Sequence, residues 1–278
     1  MSDNTAPMNW FITGCSSGFG RCIAEAALAR GQRVAVTARD LLTLRDLEGP
    51  DCKAFALDVT DPVSIASAVA GAAAELGRLD VVVNNAGYGL IGAVEECSDI
   101  QIRRNMETNF FGPLNVIRAV APLLRAQRSG HIVNISAAAA LANYPGFGIY
   151  GGAKAALDLM SESLAAELRP LGVKVTLVHP GPFRTAFIGR GMESAEQSIS
   201  DYDGTSGKFS KLLNAMNGKQ PGDPAKAAAL IVRTVLSGDA PMRLPLGKYM
   251  IRKTRDKAAA LNREADKWEA DAGSTEFV

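Results

Sequence analysis

The sequence carries almost no net charge and has no long hydrophobic run. Its 278 residues include 30 Lys and Arg against 29 Asp and Glu, a net charge of +1. That balance gives no indication of nucleic acid or another strongly charged partner. No apolar run approaches the roughly 18 residues of a membrane span, and the opening MSDNTAPMNW lacks the basic and apolar regions of a signal peptide. We therefore expect a cytoplasmic protein that binds neither nucleic acid nor a membrane.

Disulfide and metal-binding patterns are also missing. The four cysteines are Cys15, Cys22, Cys52 and Cys97. Their scattered positions, without CxxC spacing, are typical of reduced thiols in a cytosolic protein. The two histidines, His131 and His179, have no His, Cys or carboxylate nearby in a metal-ligand pattern. We predict structural roles for both histidines and no metal site.

What the sequence does contain is a regular alternation of short β-branched runs with longer Ala- and Leu-rich stretches. The predicted strands are 10–13, 33–38, 53–57, 81–84, 131–135, 174–178 and 242–246. The predicted helices are 21–30, 63–76, 98–127, 149–168 and 224–236. Such alternation predicts an α/β fold with a doubly wound parallel sheet, Rossmann-type, with helices on both faces. We expect a single domain over residues 1–250.

Two segments depart from the alternation. Residues 189–222 are polar and rich in Gly and Ser, with a short amphipathic piece. We interpret them as a flexible cover over a substrate pocket, with a plain surface excursion as the alternative. In the C-terminal helical extension, 251–278, Ile251, Leu261 and Trp268 fall on one helix face. We expect that face to pack on the body or on a neighbouring subunit.

The stretch TGCSSGFG at 13–20 lies between the first predicted strand and the first predicted helix. Glycines there permit a tight turn and a close approach of the ribose and pyrophosphate of a dinucleotide to the backbone. The helix N-terminus then faces the negative phosphates. The predicted contacts are Gly14, Ser16, Ser17, Gly18, Phe19 and Gly20.

The end of the second strand bears on cofactor choice. A site that prefers NAD usually has a carboxylate there for the ribose 2′-hydroxyl, whereas this chain has Ala38 followed by Arg39. Arginine suits a 2′-phosphate. NADP(H) is therefore favoured over NAD(H), with a simple pairing of Arg39 and Asp40 as the alternative.

Tyr150 and Lys154 are four residues apart, so a helix puts both on one face. A free phenol titrates near pH 10. A neighbouring ammonium favours the phenolate, and this would bring the tyrosine closer to the range useful for acid–base catalysis.

Several motifs occur in order along the chain: TGCSSGFG, LDV at 57–59, NNAG at 84–87, Asn109, YGGAK at 150–154 and HPG at 179–181. Together they resemble the short-chain dehydrogenase/reductase family over about residues 9–250. PGPFRTAF and the long segment after it are similar to the branch of that family with 17β-hydroxysteroid and retinol dehydrogenases.

The resemblance implies residue roles. Tyr150 is the expected general acid in reduction and the base in oxidation, with Lys154 and Asn109 as its catalytic partners. Further cofactor contacts are implied at Asp58, Val59, Asn85, Ala86, Gly87, Tyr150, Lys154, Pro180, Gly181, Phe183 and Thr185. Family members commonly pair through helices such as 98–127 and 149–168, which implies a homodimer or homotetramer.

The family also has a catalytic serine thirteen residues before the tyrosine, and that position is Ala137 here. Ser136 lies one residue earlier, and because neighbouring side chains on a strand alternate in direction, it should point away from the site. We expect impaired catalysis, either from an engineered Ser-to-Ala replacement or in a natural variant.

The leading hypothesis is an NADP(H)-dependent alcohol dehydrogenase or carbonyl reductase (ketoreductase) that acts on a secondary alcohol or ketone. The predicted substrate contacts are Tyr144, Phe147, Phe183, Phe187 and Met192, which favour an apolar or aromatic substrate. The alternative is a cofactor-binding regulator or scaffold without catalysis. A cofactor-independent lyase would need a blocked glycine-rich turn, and TGCSSGFG is open.

Overall fold

The structure is a computed structural model that describes residues 6–277. Its strands are β1 Asn9–Ile12, β2 Arg33–Ala38, β3 Cys52–Ala56, β4 Val81–Asn84, β5 Gly89–Ile91, β6 Gly130–Ile135, β7 Val173–Pro180, β8 Met192–Ser194 and β9 Arg243–Leu246. Its α-helices are α1 Gly18–Leu28, α2 Pro62–Leu76, α3 Asp99–Met106, α4 Gly112–Gln127, α5 Ala138–Leu141, α6 Gly148–Leu168, α7 Lys208–Met216, α8 Pro224–Leu236 and α9 Lys248–Gly273.

Seven strands form one sheet in the order β3-β2-β1-β4-β6-β7-β9, and all the pairs are parallel. The strand order reverses between β1 and β4, which opens a crevice at the carboxyl ends of these two strands. The predicted doubly wound α/β fold is confirmed. Every residue of β4 is buried, as expected for a strand that is covered on both faces.

The core lies in two layers, one on each side of this sheet. One layer joins β1, β2 and β4 to α1 and α8, with Ile23 and Val232 at its centre. The other joins the same sheet to α2 and α4, with Ile65 and Val116. Both layers are formed by residues that are almost completely buried, so they hold the ends of the central strands rigidly.

The helix starts follow from local sequence. The Asp61 side chain accepts a hydrogen bond from the Val63 amide at 2.9 Å, and Pro62 occupies the first helical position, where its missing N–H costs nothing. Ser98 and Gln101 form a reciprocal capping box at the start of α3. These caps fix the starts of α2 and α3, within two residues of the predicted positions.

The single helix predicted over 98–127 is wrong in its middle. A turn of π-helix, Glu107–Phe111, separates α3 from α4. Such a bulge changes the direction in which its side chains point. The interruption lies at Asn109, one of the predicted site residues.

The predicted cover, 189–222, is an ordered segment. Its strand β8 pairs in parallel with β5 as a small second sheet, and its amphipathic piece is the helix α7. Part of the glycine- and serine-rich sequence forms a π-helical turn, Asp203–Gly207, directly before α7.

The C-terminal extension is the long helix α9. Met250 in its first turn is buried, but Leu261 and Trp268 are 49% and 56% exposed. The expectation that the whole apolar face packs on the body is therefore wrong beyond the first turns, and packing on a neighbouring subunit stays a prediction. Within residues 6–277, no helix combines the length and apolar composition that crossing a bilayer requires.

Candidate active site

The glycine-rich turn joins β1 to α1 at the crevice between β1 and β4. Gly14 has φ +72°, and a Cβ there would lie 2.9 Å from Cα of Ala86. Gly18 has φ +63° and begins α1. Ser17, at the N-cap position, has an extended backbone and makes no side-chain capping bond. The turn therefore presents an exposed hydroxyl and a free helix N-terminus to a ligand.

Asn85 fastens the segment after β4 to this turn. Its Nδ2 donates to the carbonyl oxygens of Thr13 and Gly14, at 2.9 and 3.0 Å. The amides of Asn85 and Ala86 in turn donate to Oγ1 of Thr13. The side-chain amide of Asn85 therefore holds the two loops together, and the cofactor contact that the resemblance implies for this residue stays a prediction.

Arg39 and Asp58 lie at the carboxyl ends of β2 and β3. Arg39 is exposed, and Asp40 next to it accepts from the Leu42 amide. Asp58 accepts from the amide and the hydroxyl of Thr60, which together with Arg39 lower the pKa of its carboxyl group. The side chain of Val59 is buried, so only its backbone can face a ligand.

The segment after β7 closes the other side of the crevice. Cβ of Thr185 lies 3.8 Å from where a Cβ on Gly18 would be. Phe183 packs edge-on against Phe19, with ring centroids 5.2 Å apart. Gly181 donates its amide to the Leu246 carbonyl at 3.1 Å. This segment and the glycine-rich turn thus flank one crevice.

Tyr150 and Lys154 lie on one face of α6, and both are buried. The Lys154 ammonium donates to the Ile135 carbonyl oxygen at the end of β6, at 3.0 Å. A buried charge is costly unless it is paired. Burial lowers the pKa of Lys154 to about 8, and the negative charge of Asp158 opposes this fall.

The sequence predicts a lowered pKa for Tyr150, but its surroundings in the structure shift the pKa in the opposite direction. Burial raises the pKa of Tyr150, because a phenolate loses its hydration inside the protein. The hydrogen bond of the Lys154 ammonium goes to the Ile135 carbonyl in this structure, so burial decides the direction of the shift. Tyr150 is therefore held as the protonated phenol at neutral pH.

The π-turn brings Asn109 next to Lys154. Asn109 Nδ2 donates to the Tyr88 carbonyl at 2.9 Å and to the Asn105 carbonyl at 3.1 Å. A Cβ on Gly87 would lie 2.6 Å from Asn109 Oδ1 and 3.4 Å from Lys154 Nζ. Oδ1 is buried and has no hydrogen-bond partner among the described residues. Gly87 itself is exposed, and only a residue without a Cβ fits this close to Asn109 Oδ1.

Ala137 packs beside the ring of Tyr150, in a buried cluster with Ile91 and Phe147. No hydroxyl is available from the preceding residue, because Ser136 donates to Asp158 Oδ1 at 2.5 Å. Ser136 therefore points away from Tyr150, and the position of the family serine is filled by a methyl group.

An aromatic wall adjoins Tyr150. Phe147 and Phe187 lie 5.3 and 5.6 Å from the Tyr150 ring, centroid to centroid. Phe209 of α7 stacks on Tyr144 at 5.0 Å and packs edge-on against Phe147 at 5.2 Å. Met192 joins this cluster. The structure thus brings four of the five predicted substrate residues together and leaves out Phe183, which faces Phe19.

Phe209 and Leu213 also pack on this wall, but neither was predicted as a substrate contact. Both belong to the amphipathic piece of 189–222, and its apolar spacing was the signal that could have assigned them. Tyr144 is also fixed from the outer side, where its hydroxyl is bonded to that of Tyr249 and the Lys253 ammonium lies 3.6 Å from its ring centroid.

Hydrogen bonds hold the 189–222 segment in place. Glu96 accepts from the amides of Ala93 and Ile199 at 2.7 and 2.9 Å. Gln101 Nε2 donates to Glu193 and to the Ser194 carbonyl. These anchors connect the segment to the start of α3, so the aromatic wall has a defined position relative to Tyr150.

The residues present fit a dinucleotide. The glycine-rich turn offers a cradle that a Cβ would fill, and Gly87 leaves space beside Lys154 and the unsatisfied oxygen of Asn109. A phenol, an ammonium and an apolar wall meet at one end of this crevice. The arrangement can hold a ligand with phosphates at one end and exchange a proton at Tyr150 at the other.

Comparison with known proteins agrees with this geometry. A family model described as short chain dehydrogenase matches residues 9–195. Oxidoreductase BOA17 of Botryotinia fuckeliana is 36% identical, over 93% of this chain and 96% of its own. A 3-ketodihydrosphingosine reductase of Bacteroides thetaiotaomicron is 34% identical, over 87% and 88%. Human retinol dehydrogenase 8 is 33% identical, over 86% and 81%.

A solved structure gives the same result for the fold. A short-chain dehydrogenase from Streptomyces avermitilis superposes with a TM-score of 0.91 at 39% identity. The superposition covers 98% of this chain and 100% of the other. The match therefore extends through the aromatic wall and nearly the whole chain.

Proposed function

Since the chain belongs to the short-chain dehydrogenase family, we propose that it is an NADP(H)-dependent oxidoreductase that interconverts an apolar secondary alcohol and a ketone. The observation that carries the proposal is the meeting of Tyr150, Lys154 and the open position at Gly87 at the end of the glycine-rich crevice. The nicotinamide cofactor, when bound, supplies or accepts the hydride.

The residues of the crevice would hold the cofactor in a defined direction. The turn around Gly14 and Gly18 and the N-terminus of α1 would face the pyrophosphate. Arg39 supports the choice of NADP(H), because its guanidinium is exposed and can pair with a 2′-phosphate in a bidentate way. The rival explanation, a pairing with Asp40, loses support because Asp40 caps the turn at Leu42.

Tyr150 would exchange the proton. Burial keeps its phenol protonated, so the Oη–H can donate to a carbonyl oxygen during reduction and supply the proton of the new hydroxyl. Lys154 would stabilise the phenolate left behind, because an ammonium on the same helix face favours the charged form. Asn109 Oδ1, free and buried beside Lys154, would accept a hydrogen bond on the path that reprotonates the tyrosine.

The aromatic wall supports an apolar substrate. Phe147 and Phe187 adjoin Tyr150, and Phe209 and Met192 belong to the same cluster. Such an apolar surface favours the binding of an apolar ligand. Two relatives are named as a 3-ketodihydrosphingosine reductase and as retinol dehydrogenase 8, and these names support the same choice. Ala137 would slow the reaction, because a donor to the developing oxyanion is missing.

The test measures nicotinamide absorbance with a panel of long-chain, aryl and steroid ketones and alcohols. We expect slow turnover with NADPH, and a kcat/KM at least tenfold lower with NADH. Arg39→Ala should remove most of that preference, while Arg45→Ala on the neighbouring turn should not. Tight NADPH binding without turnover of any substrate, even after Ala137→Ser, would instead favour a cofactor-binding regulator.

A further inference from the structure

A buried polar network lies behind Tyr150 and Lys154. Asp158 follows Lys154 by four residues on α6, so Tyr150, Lys154 and Asp158 succeed one another along one helix face. The side chain of Asp158 is almost fully buried. Oδ1 accepts from the Ser136 hydroxyl at 2.5 Å, and Oδ2 lies 2.6 Å from Nε2 of His179.

The three members come from three elements whose ends meet behind the site. Ser136 directly follows β6, His179 lies near the end of β7, and Asp158 is on α6. Ile135, whose carbonyl binds the Lys154 ammonium, precedes Ser136. The network therefore ties α6, which carries Tyr150 and Lys154, to the ends of β6 and β7.

Two polar groups face the Asp158 carboxylate. Both carboxylate oxygens have a donor, because the Ser136 hydroxyl donates to one and the His179 ring can donate from Nε2 to the other. A buried carboxylate of this kind stabilises a cation nearby.

The buried ammonium of Lys154 is stabilised by a negative charge nearby. Around it lie Tyr150 and Asp158 on its own helix, the Ile135 carbonyl from β6, the Asn109 amide from the π-turn and, beyond Asp158, His179 from β7. Tyr150 is neutral while protonated and the Asn109 amide is neutral. The negative charge of Asp158 opposes the lowering of the Lys154 pKa by burial.

We propose that Asp158 is a positioning residue, whose buried carboxylate, oriented by Ser136 and His179, keeps the Lys154 ammonium charged and in place beside Tyr150. This role rests on the proposed function only in its catalytic consequence. It also gives Ser136 a use that differs from that of the missing serine, since its hydroxyl serves the carboxylate and not the substrate.

The test is an NMR titration of Lys154 in the protein without cofactor, labelled with ¹³C at lysine Cε and assigned with Lys154→Met. In the wild type Lys154 should titrate near the pKa of about 8. In Asp158→Asn the value should fall by about one unit, because the opposing charge is gone. Glu162→Gln, one turn further along α6 at an exposed ion pair with Arg243, is the matched control and should not move it.

Ser136→Ala separates charge from structure, since it removes one hydrogen bond and keeps the carboxylate. It should shift the Lys154 value by less than half as much as Asp158→Asn. An unchanged Lys154 value in Asp158→Asn, or an equal shift in Ser136→Ala, overturns the proposal. If Asp158→Asn does not fold, Asp158→Ser gives the same comparison, because the smaller side chain leaves room for water.

The catalytic consequence is measured separately. With NADPH and a turned-over ketone, Asp158→Asn should lower kcat at least tenfold with little change in KM, and Asp158→Glu should restore most of it. Failure of the proposed function would show as no NADPH turnover in any variant, and the lysine titration would still decide the role of Asp158.

Discussion

Ala137→Ser adds one hydroxyl beside the ring of Tyr150, and we expect it to raise kcat by about 10²- to 10³-fold, or roughly 3–4 kcal/mol of transition-state stabilisation. The backbone at Ala137 is extended, with φ −154° and ψ 160°, so serine is accommodated without strain. The side chain is 8% exposed and packs in the same cluster as Tyr150, which brings the new oxygen close to the reacting group.

The same hydroxyl has a second possible target. Ala137 is the N-cap residue of α5, whose first turn has no side-chain cap. A serine that turned toward those amides would stabilise the fold by about 1 kcal/mol without improving catalysis. A gain in turnover therefore indicates that the new hydroxyl faces Tyr150, whereas a gain in stability alone indicates that it caps α5.

The assay compares kcat for NADPH-dependent ketone reduction and the urea unfolding of wild type, Ala137→Ser and Ala138→Ser. Ala138→Ser is the matched control, because it adds the same hydroxyl at the next buried alanine of α5. A gain in stability with unchanged kcat in Ala137→Ser would refute the reasoning, and so would an equal gain in kcat in Ala138→Ser.

Three further predictions concern the crevice, the lysine and the wall. Gly14→Ala should destabilise the fold by about 2 kcal/mol or more and abolish NADPH binding, because a positive φ and the contact with Ala86 act together; Gly31→Ala, with φ +70° and nothing within 4 Å, should show only the smaller conformational cost in urea unfolding. Lys154 has a folded pKa of about 8 against 10.5 for the free group, so between these values the unfolded chain holds more protons and the free energy of unfolding should rise with pH. Relative to Lys154→Met, the wild type should gain about 2 kcal/mol between pH 7 and pH 9.5, and a difference that stays flat would contradict the burial of this charge. Phe209→Ala should raise KM for an apolar ketone about tenfold with NADPH affinity unchanged, because it removes the ring stacked on Tyr144. Leu212→Ala, at an exposed position of the same helix, should leave both KM and NADPH affinity unchanged. An equal rise in KM in the two variants would argue against the wall as a substrate surface.

Much of the fold follows from local signals. The strand before TGCSSGFG, the uniformly apolar β4 and the caps at Asp61 and Ser98 predict the alternating elements, because each depends on nearest neighbours in sequence. The order of the strands in the sheet was not predicted and is known only from the structure. Apart from the helix predicted over 98–127, which is interrupted at Glu107–Phe111, the boundaries of the predicted elements differ from the observed ones by three residues at most.

What could not be predicted depends on distant contacts. The π-turn at Asn109 has no sequence signature, because the helix on either side is regular and only tertiary contacts select the bulge. Phe183 looks like a neighbour of Phe187 in sequence, yet it faces Phe19 across the crevice. His179 was assigned no partner, since Asp158 lies 21 residues away and reaches it only through the packing of α6 on β7.

The Tyr150 environment shows the same limit at the level of chemistry. The spacing to Lys154 predicted a lowered pKa, whereas burial raises it. Desolvation depends on everything packed around a group, and four residues of local sequence do not contain that information.

The most direct test of the account is Tyr150→Phe, which removes one oxygen from the buried ring and leaves its packing on Phe147 in place. Measured with NADPH and the best ketone of the panel, in the Ala137→Ser background where the rate is highest, the variant should fall below about 1% of its parent in kcat while NADPH binds as before. A variant that retained a tenth or more of the parent rate would show that Tyr150 does not transfer the proton and would contradict the proposed reaction.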